Sequence, residues 1–186
     1  MCWDELLPYL AVRTMKTIKK GVVFMAMDVL WAPWRMNYIL GPKPDECVFC
    51  IPADSSEDHE RLILHREKHC FVIMNKFPYN NGHLMVCPFR HVSCITQLSA
   101  EEALESVELI RKCVHIFKEA FRPQGINVGL NLGDAAGAGI AAHLHWQLVP
   151  RWNGDASFMA VFGETTVIPQ HLESTYGMLK PYFETK

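Results

Sequence analysis

Two histidines and a glutamine stand at positions i, i+2 and i+4 in His143-Leu144-His145-Trp146-Gln147-Leu148-Val149-Pro150-Arg151. Apolar Leu144, Trp146 and Leu148 alternate with them. A period of two is that of a strand, so the three polar side chains should share one face. Packing alone would be met by Ser, Thr or Lys there. Two imidazoles instead supply bases that are largely neutral at physiological pH and able to attack an electrophile or hold a metal ion. Just upstream, Gly133-Asp134-Ala135-Ala136-Gly137-Ala138-Gly139 is a small-residue loop that lets backbone approach a ligand closely. Together the two stretches suggest phosphate on the loop and a nucleophile on the strand. The same histidine spacing also fits metal ligands or hydrogen-bonded structural residues.

A second constellation lies far upstream. Cys47-Val48-Phe49-Cys50 is a C-x-x-C turn, which lets two thiolates converge on one ion. It also fits a redox pair, but the strand–helix surroundings of a thioredoxin are missing. The chain holds no second C-x-x-C, so a zinc site here needs two further ligands, most readily histidines.

Several elements must position these groups. Leu62-Ile63-Leu64, Phe71-Val72-Ile73-Met74 and Leu84-Met85-Val86-Cys87 read as strands, the last ended by Pro88 with His91 just beyond. Residues 52–60 are polar and acidic and read as a loop. Asn75 to Gly82 reads as a turn, and Asn81-Gly82 before an apolar run is a hairpin signal. Ser99 and Glu102 form a capping box. From there Leu104, Val107, Ile110, Val114, Phe117 and Phe121 recur at helical spacing, widened by Leu109 and Ile116, until Pro123. Cys113 and His115 within this long helix read as structural. Ile126 to Leu132 is a strand, Asn153-Gly154 a turn, and Pro169 to about Phe183 a short C-terminal helix. Hairpin-joined strands with one helix packed on them make an α+β fold.

Composition sets the outer bounds. A chain of 186 residues with 49% hydrophobic and 20% charged content suits one domain. A net charge of -2 gives no basic field for nucleic acid, and no apolar run reaches the ~18 residues of a membrane span. Seven cysteines, mostly without framework spacing, favour a reduced, cytoplasmic setting. Residues 1–26 read as a peripheral or poorly ordered N-terminal extension, and 27–186 as a single domain with a C-terminal tail. Lysines before Gly21 to Met27 give a faint signal-peptide look, broken by Asp28; an internal start at Met25 or Met27 accounts for it equally well. Trp31-Ala32-Pro33-Trp34 reads as an aromatic anchor for the core or a partner subunit.

Taken together, Cys47-x-x-Cys50, Asn75-x-x-Pro78, Gly82-His83, Pro88-x-x-His91, Asn131 and the His143-x-His145-x-Gln147-x-x-Pro-Arg stretch resemble the histidine triad (HIT) superfamily over roughly residues 30 to 152. The resemblance implies an antiparallel sheet with one long helix, a homodimer, and nucleotidyl transfer through a covalent nucleotidyl-histidine. It makes His145 the nucleophile. It makes Cys47, Cys50, His91 and His143 the ligands of one structural zinc per chain, a closed tetrahedral set. It places Asn75 at the ribose, Asn131 and the loop glycines Gly137 and Gly139 at the phosphates, and Trp152 at the border of the nucleotide. Gln147 departs from the hydrolytic members, which carry histidine there. An amide can orient a phosphoryl oxygen but cannot serve as a general acid. In this the chain resembles the transferase branches, and with its Trp31 to Arg35 opening and Pro150 to Asp155 tail the diadenosine tetraphosphate phosphorylases. The implied substrate is a dinucleoside polyphosphate and the implied acceptor inorganic phosphate. A second departure is that Gly139 and Ile140 offer no hydroxyl before the first histidine, which leaves phosphate handling to backbone N–H groups. The alternatives are a dinucleoside polyphosphate or nucleoside phosphoramidate hydrolase, and a zinc-stapled nucleotide-binding protein without turnover.

Overall fold

In a computed structural model of the chain, residues 47–155 and 170–184 are described. The expectations for 1–26 and for the Trp31 to Arg35 segment lie outside them.

Two strands are apolar along their whole length, which only a sheet covered on both faces can use. These are β2 (Cys70–Met74) and β3 (Leu84–Pro88), and every residue of both is buried. Around them a five-stranded antiparallel sheet forms with β1 (Ile63–Arg66), β4 (Gly125–Leu130) and β5 (Trp146–Arg151), in the order β1-β2-β3-β5-β4. Side-chain alternation sends Leu64, Val72, Val86 and Leu148 to one face, packed with Leu109, Ile116 and Phe117 of helix α2 (Ala100–Ala120). Tyr176, Leu179 and Phe183 of α3 (Leu172–Glu184) complete that core. The opposite alternants Ile63, Phe71, Ile73, Met85 and Cys87 pack with Phe49 from the C-x-x-C turn. The fold is α+β, as the sequence implies.

Helix α2 starts at the expected capping box. The Ser99 hydroxyl accepts from the Glu102 N–H, and the Glu102 carboxylate accepts from the Ser99 N–H. Its buried stripe is rotated from the expected one. Glu102, Ser106, Leu109, Cys113, Ile116 and Phe117 face inward, while Leu104 and Val107 are 65% and 48% exposed. The cause is polar: Glu102 meets Arg90, and Glu105 accepts the N–H groups of His69 and Cys70 at 2.7 Å each. Anchoring those carboxylates turns Leu104 and Val107 to the outside. Cys113 is buried, as a structural reading requires; His115 is exposed.

Three further boundaries differ. Within 52–60, expected to be loop, a short helix α1 (Asp58–Arg61) begins at Asp58, and Leu62 caps it in the left-handed region rather than opening a strand. Helix α3 begins at Leu172 and contains Pro181 inside it. The histidine strand is shorter than its alternation suggests: β5 begins at Trp146, and His143 to His145 lie before it. The pairing of β3 with β5 ends at Val86 and Trp146. Beyond that point Pro88 has no N–H to offer and its carbonyl is taken by the His143 ring. The Leu144 N–H turns to the Val92 carbonyl instead, at 2.6 Å.

Candidate active site and metal centre

The alternation still does what it promised for two of the three polar residues. Met85 is paired with Gln147 across β3 and β5, which puts Gln147 on the sheet face away from α2. His145 and Gln147 both line a cleft of about 540 Å³ on that side. Phe49, Ile73, Met85 and Ile140 line it with apolar surface, Asn75, Tyr79 and Gly139 also border it, and Glu57, Glu60 and Arg61 of and beside α1 bring charge to it.

His145 is 6% exposed and its ring lies against Phe49, centroids 4.9 Å apart. Its Nδ1 is 2.8 Å from the His143 carbonyl. A carbonyl can only accept, so Nδ1 carries the proton and Nε2 the lone pair. Burial lowers the imidazole's proton affinity, partly opposed by that hydrogen bond. The ring is therefore neutral at physiological pH, with Nε2 as its lone-pair-bearing nitrogen.

His143 turns the other way. Its Nε2 donates to the Pro88 carbonyl at 2.9 Å, which leaves Nδ1 as a ligand atom. Nδ1 lies 3.4 Å from the Cys47 Sγ and 3.8 Å from the Cys50 Sγ. The His91 Nδ1 lies 3.2 Å from the Cys50 Sγ. All four ligand atoms fall within 4.8 Å of one another. A tetrahedral zinc with ordinary Zn–S and Zn–N bonds sets ligand atoms roughly 3.3 to 3.8 Å apart. The donor set fits such an ion in chemistry and in spacing. Burial, opposed by the Pro88 hydrogen bond and aided by the neighbouring imidazoles, lowers the His143 proton affinity and favours the neutral, ligating form. The loop carrying His91 is clamped by Arg90, which donates from Nε to Glu102 Oε1 at 2.9 Å and from Nη2 to Oε2 at 2.7 Å. That guanidinium, working against burial, holds the Glu102 carboxyl down at about 2.

The remaining expected site residues are placed unevenly. Asn75 is at the cleft, its Oδ1 accepting the Phe77 N–H at 2.8 Å and its Nδ2 3.3 Å from the His83 Nδ1. Asn131 lines a second, shallower cavity of about 270 Å³, which shares Tyr79 and Gln147 with the first, and its Nδ2 donates to the Gly137 carbonyl. Gly137, at φ +83°, closes the turn of the loop, but the N–H groups of Ala136, Gly137 and Ala138 all bond within the loop itself. Gly139 is the loop glycine that reaches the larger cleft. Trp152 lines neither cavity; its ring meets Phe121 edge-on at 6.3 Å. Arg151 borders the second cavity and is held by Asp155 and Asn127. Sequence reasoning gave no role to Phe49, the spacer of the C-x-x-C turn, or to His83, which is fully buried between Tyr79 and Gln147. The Gly82-His83 pair was visible; that its ring would be buried beside the site was not.

Comparison with known proteins agrees with this geometry. The HIT domain model matches residues 56–154. A protein named AP-4-A phosphorylase from Mycobacterium tuberculosis is 42% identical over 158 residues, covering 81% of each chain. A zinc-bound histidine triad family protein from Mycobacterium smegmatis superposes with a TM-score of 0.59 at 24% identity, over 75% of this chain and 94% of its own. A hypothetical histidine triad nucleotide-binding protein from Sulfolobus tokodaii gives 0.58 at 22% identity, over 74% and 92%. With a family model matched over more than half of its length and a relative 42% identical over four fifths of both chains, the chain belongs to the histidine triad (HIT) family.

Proposed function

We propose that the protein is a nucleotidyltransferase that splits dinucleoside polyphosphates by phosphorolysis through a nucleotidyl-His145 intermediate. The observation that carries the reading is the fixed tautomer of His145: Nδ1–H bound to the His143 carbonyl, and Nε2 left as the nucleophilic atom of a ring that lines the cleft. A relative 42% identical and named for AP-4-A phosphorolysis supports the substrate class and the phosphate acceptor.

In the first step Nε2 attacks the α-phosphorus. An N–P bond forms, the P–O bond to the β-phosphate breaks, and the departing polyphosphate carries away the electron pair. The Gln147 amide and backbone N–H groups near Gly139 meet the non-bridging oxygens as their charge grows. In the second step an oxygen of phosphate attacks the same phosphorus, the N–P bond breaks, and the pair returns to Nε2. From diadenosine tetraphosphate the products are ATP and ADP. Gln147 supplies no proton at either step, which suits a polyphosphate leaving group and an already ionised acceptor. The nucleoside sits in the larger cleft, its ribose at Asn75; Gly139 at that cleft and Asn131 at the second cavity take the remaining nucleotide and phosphate contacts, while Gly137 shapes the loop and Trp152, packed on Phe121, stands outside both.

Cys47, Cys50, His91 and His143 hold one zinc per chain in this reading. A closed N2S2 set makes the ion structural: it pins the turn bearing Phe49 to the segment bearing His145. The protein works as a homodimer in the cytoplasm. Exposed Leu104 and Val107 on α2 and the exposed outer strand β4, with Val128 45% exposed, support the pairing.

Incubation with diadenosine tetraphosphate and labelled inorganic phosphate tests the reaction. Label in the β-position of ADP is expected. AMP and ATP formed equally with and without phosphate would instead establish the hydrolase.

A further inference from the structure

We propose that His83 is a positioning residue that sets the orientation of the Gln147 amide, with Oε1 turned inward to His83 and the NH2 group turned outward to the reacting phosphate. The inference rests on the proposed function for its kinetic consequence, but its structural content stands on the ring itself.

The orientation is fixed by two backbone N–H groups. The Tyr79 N–H can only donate, and it meets the His83 Nδ1 at 3.1 Å. Nδ1 is therefore the unprotonated nitrogen. The Phe77 N–H likewise forces Oδ1 of Asn75 to accept, which leaves Asn75 Nδ2 as a second donor toward His83 Nδ1 at 3.3 Å. With Nδ1 committed as an acceptor, the neutral His83 ring carries its proton on Nε2.

That proton has one complement nearby. Among the described residues the buried side-chain polar atoms without a hydrogen-bond partner are His83 Nε2, Gln147 Oε1 and Trp146 Nε1. The first is a lone donor and the second a lone acceptor. The two side chains adjoin: Met85 opposes Gln147 in the register, and His83, just before β3, has the Gln147 side chain as its polar neighbour. An amide turned with Oε1 toward the His83 Nε2–H satisfies both atoms. Burial keeps the ring neutral by pushing its pKa down to about 4, an effect that contact with Gln147 partly opposes. A neutral, tautomer-locked His83 can only donate to Gln147. The amide must then present NH2, never the carbonyl, to an anionic oxygen in the cleft. Were it flipped, two lone-pair-bearing atoms would face each other and repel the substrate.

Two measurements test this. Long-range 1H–15N correlation on histidine-labelled protein reads the tautomer directly; a protonated Nε2 and bare Nδ1 at His83 are expected, and the opposite tautomer would overturn the proposal whether or not the protein turns anything over. Kinetically, His83→Phe should lower kcat about 10- to 100-fold with KM changed less than about threefold, a fraction of what a lost oxyanion donor costs. Replacing a non-bridging α-oxygen of the substrate by sulfur, a poor acceptor, should slow the wild type and slow His83→Phe much less. The double variant with Gln147→Ala should be no slower than Gln147→Ala alone, and His83→Gln, which restores an N–H donor, should recover at least half of the lost log rate. Additive losses, or a sulfur effect unchanged by His83→Phe, would show that the ring acts only as packing. If His83→Phe does not fold, the tautomer and the His83→Gln sulfur effect decide. Absence of turnover in the wild type would defeat the proposed function and leave the tautomer result intact.

Discussion

Gly82→Ala is a perturbation whose cost can be worked from the structure. Gly82 lies at φ +73°, in the left-handed region, at the end of the turn that carries Asn75, Tyr79 and His83. Placing alanine there costs about 1 kcal/mol for the backbone alone. Its Cβ would also stand 2.5 Å from the Cε2 of Phe121, 3.1 Å from Cζ and 3.3 Å from Cδ2. Phe121 cannot swing away freely, because its ring packs on Phe117 at 5.9 Å and on Trp152 at 6.3 Å. Overpacking of this kind costs about 1 to 3 kcal/mol. The expected total is about 2 to 4 kcal/mol, read in urea as a lower midpoint at unchanged m-value. Phe121→Leu in the same chain should return the steric part and leave the backbone part, a favourable coupling of about 1 to 3 kcal/mol. A loss below about 0.5 kcal/mol for Gly82→Ala, or no coupling to Phe121, would refute the claim that this turn is held by the end of α2.

Three other outcomes are expected. Cys50→Ser or His143→Ala should reduce bound zinc from about one equivalent per chain to well under half, measured by elemental analysis after dialysis, with a lower Tm; full zinc retention would remove these residues from the ligand set. The Glu102 carboxyl titrates at about 2 when folded against 4.5 ordinarily, so the unfolded chain binds more protons between those values. The stabilisation is fully present above pH 4.5 and is lost as pH falls toward 2. Because Arg90 is 53% exposed, screening reduces it to on the order of 1 to 2 kcal/mol, and acid unfolding of Glu102→Gln should show that much less pH slope. Gln147→His should raise the ratio of AMP to ADP formed from diadenosine tetraphosphate in the presence of phosphate; an unchanged ratio would separate residue 147 from the choice of acceptor.

The strand pattern, the helix cap and the C-x-x-C turn were legible because each is written in local spacing. His91 and His143, far apart in sequence, were joined to that turn by residue type and resemblance as candidate ligands, and the structure brings the ligand atoms of the four side chains within 4.8 Å of one another. What was not legible depended on contacts across the fold. The alternation at His143, Leu144 and His145 looks like more strand, yet Pro88 on the neighbouring strand ends the pairing. Leu104 and Val107 read as core by period, but Glu102 and Glu105 are drawn inward by Arg90 and by the first amides of β2. Residues 52–60 are polar enough to read as loop, and the single turn of α1 is fixed by Arg66 reaching back to Asp58 at 2.7 Å. Trp152 shares an aromatic character with cleft-lining residues, and only tertiary packing assigns it to Phe121.

The most direct test of the central claim is to trap the enzyme during turnover. Brief mixing with α-labelled diadenosine tetraphosphate in the absence of phosphate, followed by alkaline denaturation to preserve an N–P bond and by peptide mapping, should place one adenylyl group on His145. His145→Ala should carry none. Label on another residue, or turnover at the wild-type rate with no labelled protein at any time point, would contradict the account.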